Sequence, residues 1–168
     1  QMRLPAARSP LGKAADIKAK LELALRHALG VGEEKITQPL VQNVEENQVY
    51  LQRDHEFLSG ERWVTAQRIV RDWLLSQDRV AAAFTREELE RPSDSKLLAQ
   101  VQRSFHPRRS GDVLFVLDPY CVPGARGTTH GSPWHYDTHV PLLLVGCGIK
   151  HGQFARDVSP PCIASTVA

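Results

Sequence analysis

Five consecutive apolar residues, Val113 to Leu117, constrain the fold of this chain more than any other feature. A strand that is apolar at every position has to be covered on both faces, so it belongs inside a sheet with helices above and below. A second apolar run, Leu142 to Val145, follows after a long irregular stretch and ends at Gly146 and Gly148. Together the two runs predict inner strands of a larger sheet.

The segments before Val113 supply material to cover such a sheet. Ile17, Leu21, Ala24, Leu25 and Ala28 recur at spacings of three and four, which predicts an amphipathic helix over Ala14–Leu29 closed by Gly30. Leu40–Val44 and Val49–Leu51, joined by Glu45-Glu46-Asn47, read as a β-hairpin with a polar turn. Glu61–Leu75 is a second helix, with Trp63 and Trp73 as core residues, and both helices are expected on one face of the sheet. Val80–Phe84 is a short buried strand. Thr85 with Glu88 three residues later forms a capping box, and Ser95–Phe105 is helical. The resulting order is α-β-β-α-β-α-β, long loop, β. This is an α/β or α+β class with one sheet and packed helices. Residues 14–105 form one α+β subdomain, and residues 106–168 carry the long loop.

Composition narrows the functional classes. The 168 residues are 42% hydrophobic and 24% charged, the balance of a packed globular protein. The net charge of +2 is small and scattered, so no nucleic-acid-binding surface is indicated. No apolar run approaches the roughly 20 residues of a membrane span. Cys121, Cys147 and Cys162 form neither a disulfide framework nor a zinc ribbon, and the first two read as inert buried thiols. Gln1 precedes Met2, and the helix signalled by Asp157, Ser159, Pro160 and Pro161 has room for only about two turns. The expectation is an excised fragment.

The loop from Asp118 to His139 is where chemistry could sit. Irregular connections beyond about 12–15 residues are uncommon in compact domains and are often functional. This one holds His130, His135 and His139 with Asp118, Asp137, Thr128, Thr129 and Tyr136, and its glycines would let backbone approach a ligand. Histidine with carboxylate is a zinc-type donor set. The alternative is a surface loop of solvated histidines. His135 and His139 are four apart, but Pro133 and Pro141 bracket them and disfavour a shared helix. His106, Arg108 and Arg109 form a small basic cluster that reads as a solvated turn.

Several motifs of the C-terminal third carry a resemblance. They are Arg108-Arg-Ser-Gly-Asp-Val-Leu-Phe-Val-Leu-Asp-Pro, Gly127-Thr-Thr-His-Gly-Ser, Tyr136-Asp-Thr-His-Val-Pro-Leu-Leu, Gly146-Cys-Gly-Ile-Lys and Asp157-Val-Ser-Pro-Pro-Cys-Ile-Ala. In this order they resemble the alkaline phosphatase superfamily, in the branch of bacterial zinc phosphatases related to nucleotide pyrophosphatase/phosphodiesterases. The resemblance implies part of a larger α/β fold, a phosphate ester substrate, and two zinc ions that clamp the phosphoryl group while a Thr or Ser attacks phosphorus. It places a zinc ligand at His130. It offers Asp137 and His139 as residues that orient the site from behind the ligand. Residues 14–105 would correspond to a segment that such enzymes vary. The nucleophile and the other metal ligands match nothing in this chain, which implies no catalytic residue here and no activity of the chain alone. The parent enzyme would be periplasmic or secreted. The alternative is an independently folding, non-catalytic interaction or substrate-gating module.

Overall fold

The computed structural model describes residues 7–32, 38–124 and 127–167. Its centre is a four-stranded antiparallel sheet in the order β2–β3–β5–β4, formed by Val41–Glu45, Gln48–Leu51, Val113–Leu117 and Val80–Thr85 respectively. β5 is buried at all five positions, as its composition requires. It alternates strictly. Val113, Phe115 and Leu117 face one core, while Leu114 and Val116 face another.

The first core is covered by two helices, α1 (Ala14–Leu29) and α2 (Glu61–Leu75), which pack on each other and on the same sheet face. Leu21 and Leu25 of α1 and Val70 and Leu74 of α2 are fully buried there. Trp63 and Trp73 pack against this core at its margin, half-buried. The second core is covered by α3 (Arg86–Glu90) and α4 (Lys96–Ser104), through Leu89, Leu98 and Val101. The capping box at the start of α3 is present: Thr85 N and Oγ1 both donate to Glu88 Oε2, at 2.7 and 2.8 Å.

Local chemistry sets the joints. Glu46 and Asn47 both adopt positive φ (47° and 63°), which matches the twist of a two-residue hairpin between β2 and β3. Glu22 of α1 reaches across to accept from the backbone N–H of Leu40 and Val41, at 3.1 and 2.9 Å, and also takes Arg26 Nε at 2.7 Å. One carboxylate thus ties the entry of β2 to α1. Buried His55 accepts from Phe57 N at Nδ1 and lies 3.0 Å from Gln38 O at Nε2, which fixes the Nε2–H tautomer.

At the head of β5 the joint is ionic. Asp112 is fully buried. Its carboxylate accepts from Leu51 N at 2.9 Å, Arg53 Nη2 at 3.0 Å and Arg86 Nη1 at 3.3 Å. Its backbone N–H donates to Val49 O, and its carbonyl accepts from Arg86 N. The preceding residue has to be glycine, because a Cβ on Gly111 would stand 2.8 Å from Val49 O.

The structure departs from the sequence-based expectation in four places. Leu142–Val145 forms no strand, and Val140, Leu143 and Val145 are 68%, 84% and 98% exposed. An apolar run becomes a strand only when neighbouring strands satisfy its backbone and other layers cover it. Among the described residues nothing lies beside it in that way. A second, two-stranded parallel sheet appears instead, β1 (Ala7–Arg8) with β6 (Cys121–Val122). Cys147 is exposed rather than buried, since the run before it forms no strand that would carry it into a core. His135–Thr138 is a one-turn helix, α5, since Pro133 lies outside it and Trp134 serves as its N-cap. The helix signalled near the C-terminus is present as α6 (Pro161–Val167).

Asp112→Ala should lower the unfolding free energy of the chain by about 2–4 kcal/mol, since it leaves the buried Leu51 amide unsatisfied and removes the carboxylate that Arg53 and Arg86 share. Asp112→Asn, which keeps an acceptor for Leu51 N, should cost less. Urea unfolding followed by circular dichroism measures both. An Asp112→Ala midpoint equal to that of the unaltered chain would contradict this account of the joint.

Candidate functional site

The loop begins where β5 ends. Asp118 N donates to Arg79 O at 3.0 Å, and Tyr120 takes a positive φ of 60°, which turns the chain into β6. β6 pairs with β1, with Ala7 N donating to Tyr120 O and Ser9 N to Val122 O, each at 3.0 Å. Cys121 is buried in this pairing, and burial pushes its thiol pKa up.

Beyond Gly127 the chain carries the Thr-Thr-His-Gly-Ser stretch outward. Thr128, Thr129 and His130 are exposed. Gly127 and Gly131 flank them with φ of 87° and 83°, and a Cβ on either would meet open space. These two glycines therefore serve the turn's backbone conformation. Arg8 Nη2 donates to Gly127 O at 3.1 Å on the near side of His130. On the far side, Asp137 Oδ2 accepts from Ser132 N at 2.7 Å.

The end of the loop returns to β5. Trp134 is half-buried against the second core, and its Nε1 donates to Leu117 O at 2.9 Å. Tyr136 stacks on Tyr120 with ring centroids 4.5 Å apart, and its hydroxyl accepts from Tyr120 N at 3.0 Å. His135 and His139 stack on each other at 4.9 Å, and His139 Nδ1 lies 3.9 Å from Asp157 Oδ1. Ser132 Oγ is buried without a hydrogen-bond partner among the described residues.

The structure thus separates the three residues proposed from sequence. His130 stands exposed in the irregular segment between Gly127 and Gly131. Asp137 holds the backbone beside it. His139 faces His135 and Asp157. Among the described residues no three His, Cys, Asp or Glu side chains converge as a metal site.

Sequence reasoning missed the Arg53–Asp112–Arg86 cluster. It borders an open cavity of about 510 Å³ that is also lined by Leu58, Ser59, Gly60 and Trp63. The only signal in the sequence was a Gly-Asp pair directly before an apolar strand. Both arginines turn toward Asp112, and Arg86 also pairs with Glu90 at 3.1 Å and lies over the Phe105 ring. Their charge is answered within the fold, so the cluster reads as architecture.

No known family model matches the chain. Individual proteins do. It is 33% identical over 95 residues to a calcium-transporting ATPase of Myroides odoratus, a match covering 54% of this chain and 17% of that protein. It is 33% identical over 93 residues to alkaline phosphatase PhoK of Sphingomonas sp, covering 47% and 16%. It is 32% identical over 107 residues to alkaline phosphatase PafA of Elizabethkingia meningoseptica, covering 59% and 19%. The crystal structure of wild-type alkaline phosphatase PafA superposes with a TM-score of 0.70 at 22% identity, covering 92% of this chain and 28% of that one. The chain is therefore similar to the alkaline phosphatase superfamily in sequence and shares part of the PafA fold, while its sequence matches span less than a fifth of these relatives' length. Among the described residues no helix is long and apolar enough to cross a membrane.

The two cysteines make the difference between loop and core measurable. The reactive form is the thiolate, so a buried thiol with a raised pKa is doubly protected. Iodoacetamide near pH 8 should modify Cys147 in the folded chain and Cys121 only after denaturation, as read by peptide mass mapping. Equal rates at the two positions would contradict the burial of β6.

Proposed function

We propose that this chain is the part of a metal-dependent phosphoric ester hydrolase that presents one metal-ligating histidine, His130. The observation that carries the reading is an exposed imidazole on a glycine-flanked Thr-Thr-His-Gly-Ser turn, in a chain similar to alkaline phosphatases in sequence and fold. In this reading the metal is zinc, and the substrate is a phosphate monoester or diester. Residues 14–105 are the segment that varies between such enzymes, and residues 106–168 belong to the shared core. β5 joins the two parts, since it starts the second part and lies in the sheet of the first. The enzyme works in the periplasm or outside the cell.

Two zinc ions, when bound, would supply Lewis-acid stabilisation of the phosphoryl oxygens and of the attacking hydroxyl. This chain's own contribution is limited. His130 offers a ring nitrogen from a turn held at both ends, at Gly127 O and Ser132 N. A Thr or Ser nucleophile and the other ligands have no matching residue here, so the complete site needs residues outside this chain. Two further observations support that need. The apolar stretch from Val140 through Ile149 to Phe154 is exposed, as a surface made to be covered would be. The buried Ser132 hydroxyl also lacks a partner among the described residues.

With added zinc, the chain alone should not hydrolyse p-nitrophenyl phosphate or bis-p-nitrophenyl phosphate. Zinc-dependent turnover that disappears in His130→Ala would overturn the incomplete-site reading. In the longer protein that the reading requires, His130→Ala should lower kcat/KM by at least about 100-fold, because even residues that only support a metal ligand cost 10–100-fold when lost. Unchanged kcat/KM in that variant would refute His130 as a ligand.

A further inference from the structure

We propose that Asp137, anchored by Trp134 and Tyr136, is a positioning residue that sets the place of His130 before any metal arrives. The inference rests on His130 being a metal ligand, and it gives Asp137 a role other than contact with the imidazole.

The geometry forms a continuous path from the sheet to the histidine. β5 is the most deeply buried strand, and its last carbonyl, Leu117 O, accepts from the Trp134 indole. Three residues on, Tyr120 N is held by the Tyr136 hydroxyl, and the two rings stack. Trp134 and Tyr136 therefore fasten the start of α5 at two points, one on the end of β5 and one on the segment that follows it. Asp137 belongs to the same helical turn, and its backbone N–H donates to Trp134 O at 2.9 Å. Its carboxylate then reaches back to Ser132 N, two residues beyond His130. On the other side, Arg8 in the β1–β6 pair holds Gly127 O, three residues before His130.

The span from Thr128 to Gly131 is thus short and pinned at both ends by side chains. Fixing the ends of so short a span limits where its middle can go, because the entropy of an irregular segment grows with the length left free. A ligand placed in advance does not lose that freedom when metal binds, which strengthens binding without adding a contact. A carboxylate accepting a backbone N–H is also a strong, charge-assisted acceptor, so Asp137 is suited to the task.

The test uses this chain, labelled for NMR, with Asp137→Ala, Asp137→Asn and Tyr136→Phe. In Asp137→Ala the Ser132 amide should exchange about tenfold faster. The heteronuclear NOE of Thr129 to Gly131 should fall, and the His130 ring resonances should move toward those of a free histidine. The melting temperature should fall far less than in Asp112→Ala, since Ser132 and Asp137 lie outside both cores. Asp137→Asn keeps an oxygen acceptor and should restore the order of Thr129 to Gly131, which a merely local structural defect would not require. Tyr136→Phe should loosen the turn to an intermediate degree. Order at His130 that is the same in Asp137→Ala as in the unaltered chain would overturn the proposal. So would equal loosening in Asp137→Asn and Asp137→Ala. These readouts need no metal and no activity. A longer protein that tolerates His130→Ala would sink the metal-ligand reading while the brace still stood.

Discussion

The buried carboxylate of Asp112 is the interaction on which the rest of the structure depends. It stands where three elements meet: the end of β3 at Leu51, the start of α3 at Arg86, and the head of β5. A single buried charge there would be costly. Two guanidinium groups and one amide N–H offset that cost, and Arg53 keeps half its side chain in water. The geometry is demanding enough that residue 111 has no room for a side chain. The joint sets how β5 enters the sheet, and so which of its residues face each core.

From β5 the organisation spreads outward in both directions. Its odd-numbered residues complete the core under α1 and α2, and its even-numbered residues complete the smaller core under α3 and α4. Its C-terminal end also holds the loop. Trp134 attaches at Leu117 O, and Tyr136 at Tyr120 N three residues beyond the strand. A strand buried on both faces is the least yielding element available. It makes a firm base for the segment that carries His130 at the surface.

The segment after His139 obeys different physics. Leu142, Leu143, Leu144, Val145 and Ile149 are as apolar as β5 yet lie exposed. β5 is buried because β3 and β4 flank it and helices cover it. Leu142–Val145 has the composition of an inner strand but, among the described residues, not the neighbours that make one. This contrast agrees with a chain that shares the PafA fold over most of its own length but only 28% of that protein's.

Much of the architecture was legible in the sequence, because it depends on periodicity and on local chemistry. The spacing of Ile17, Leu21 and Leu25 fixed the inner face of α1, Glu45-Glu46-Asn47 marked the hairpin, Thr85 with Glu88 marked the start of α3, and the five apolar residues of β5 required a central position. The motif around His130 singled that residue out, but its exposure is seen only in the structure. Contacts between residues far apart in the chain were not legible either. Nothing local to Asp112 announces Arg53, 59 positions away, and nothing local to Gly127 announces Arg8, 119 positions away. Nor does composition distinguish an apolar run that finds neighbours from one that does not. Sequence determined what each segment was able to become, since propensity and hydrophobic period act over a few residues. Only the tertiary structure decided which segments became it, since burial and backbone pairing depend on what lies alongside.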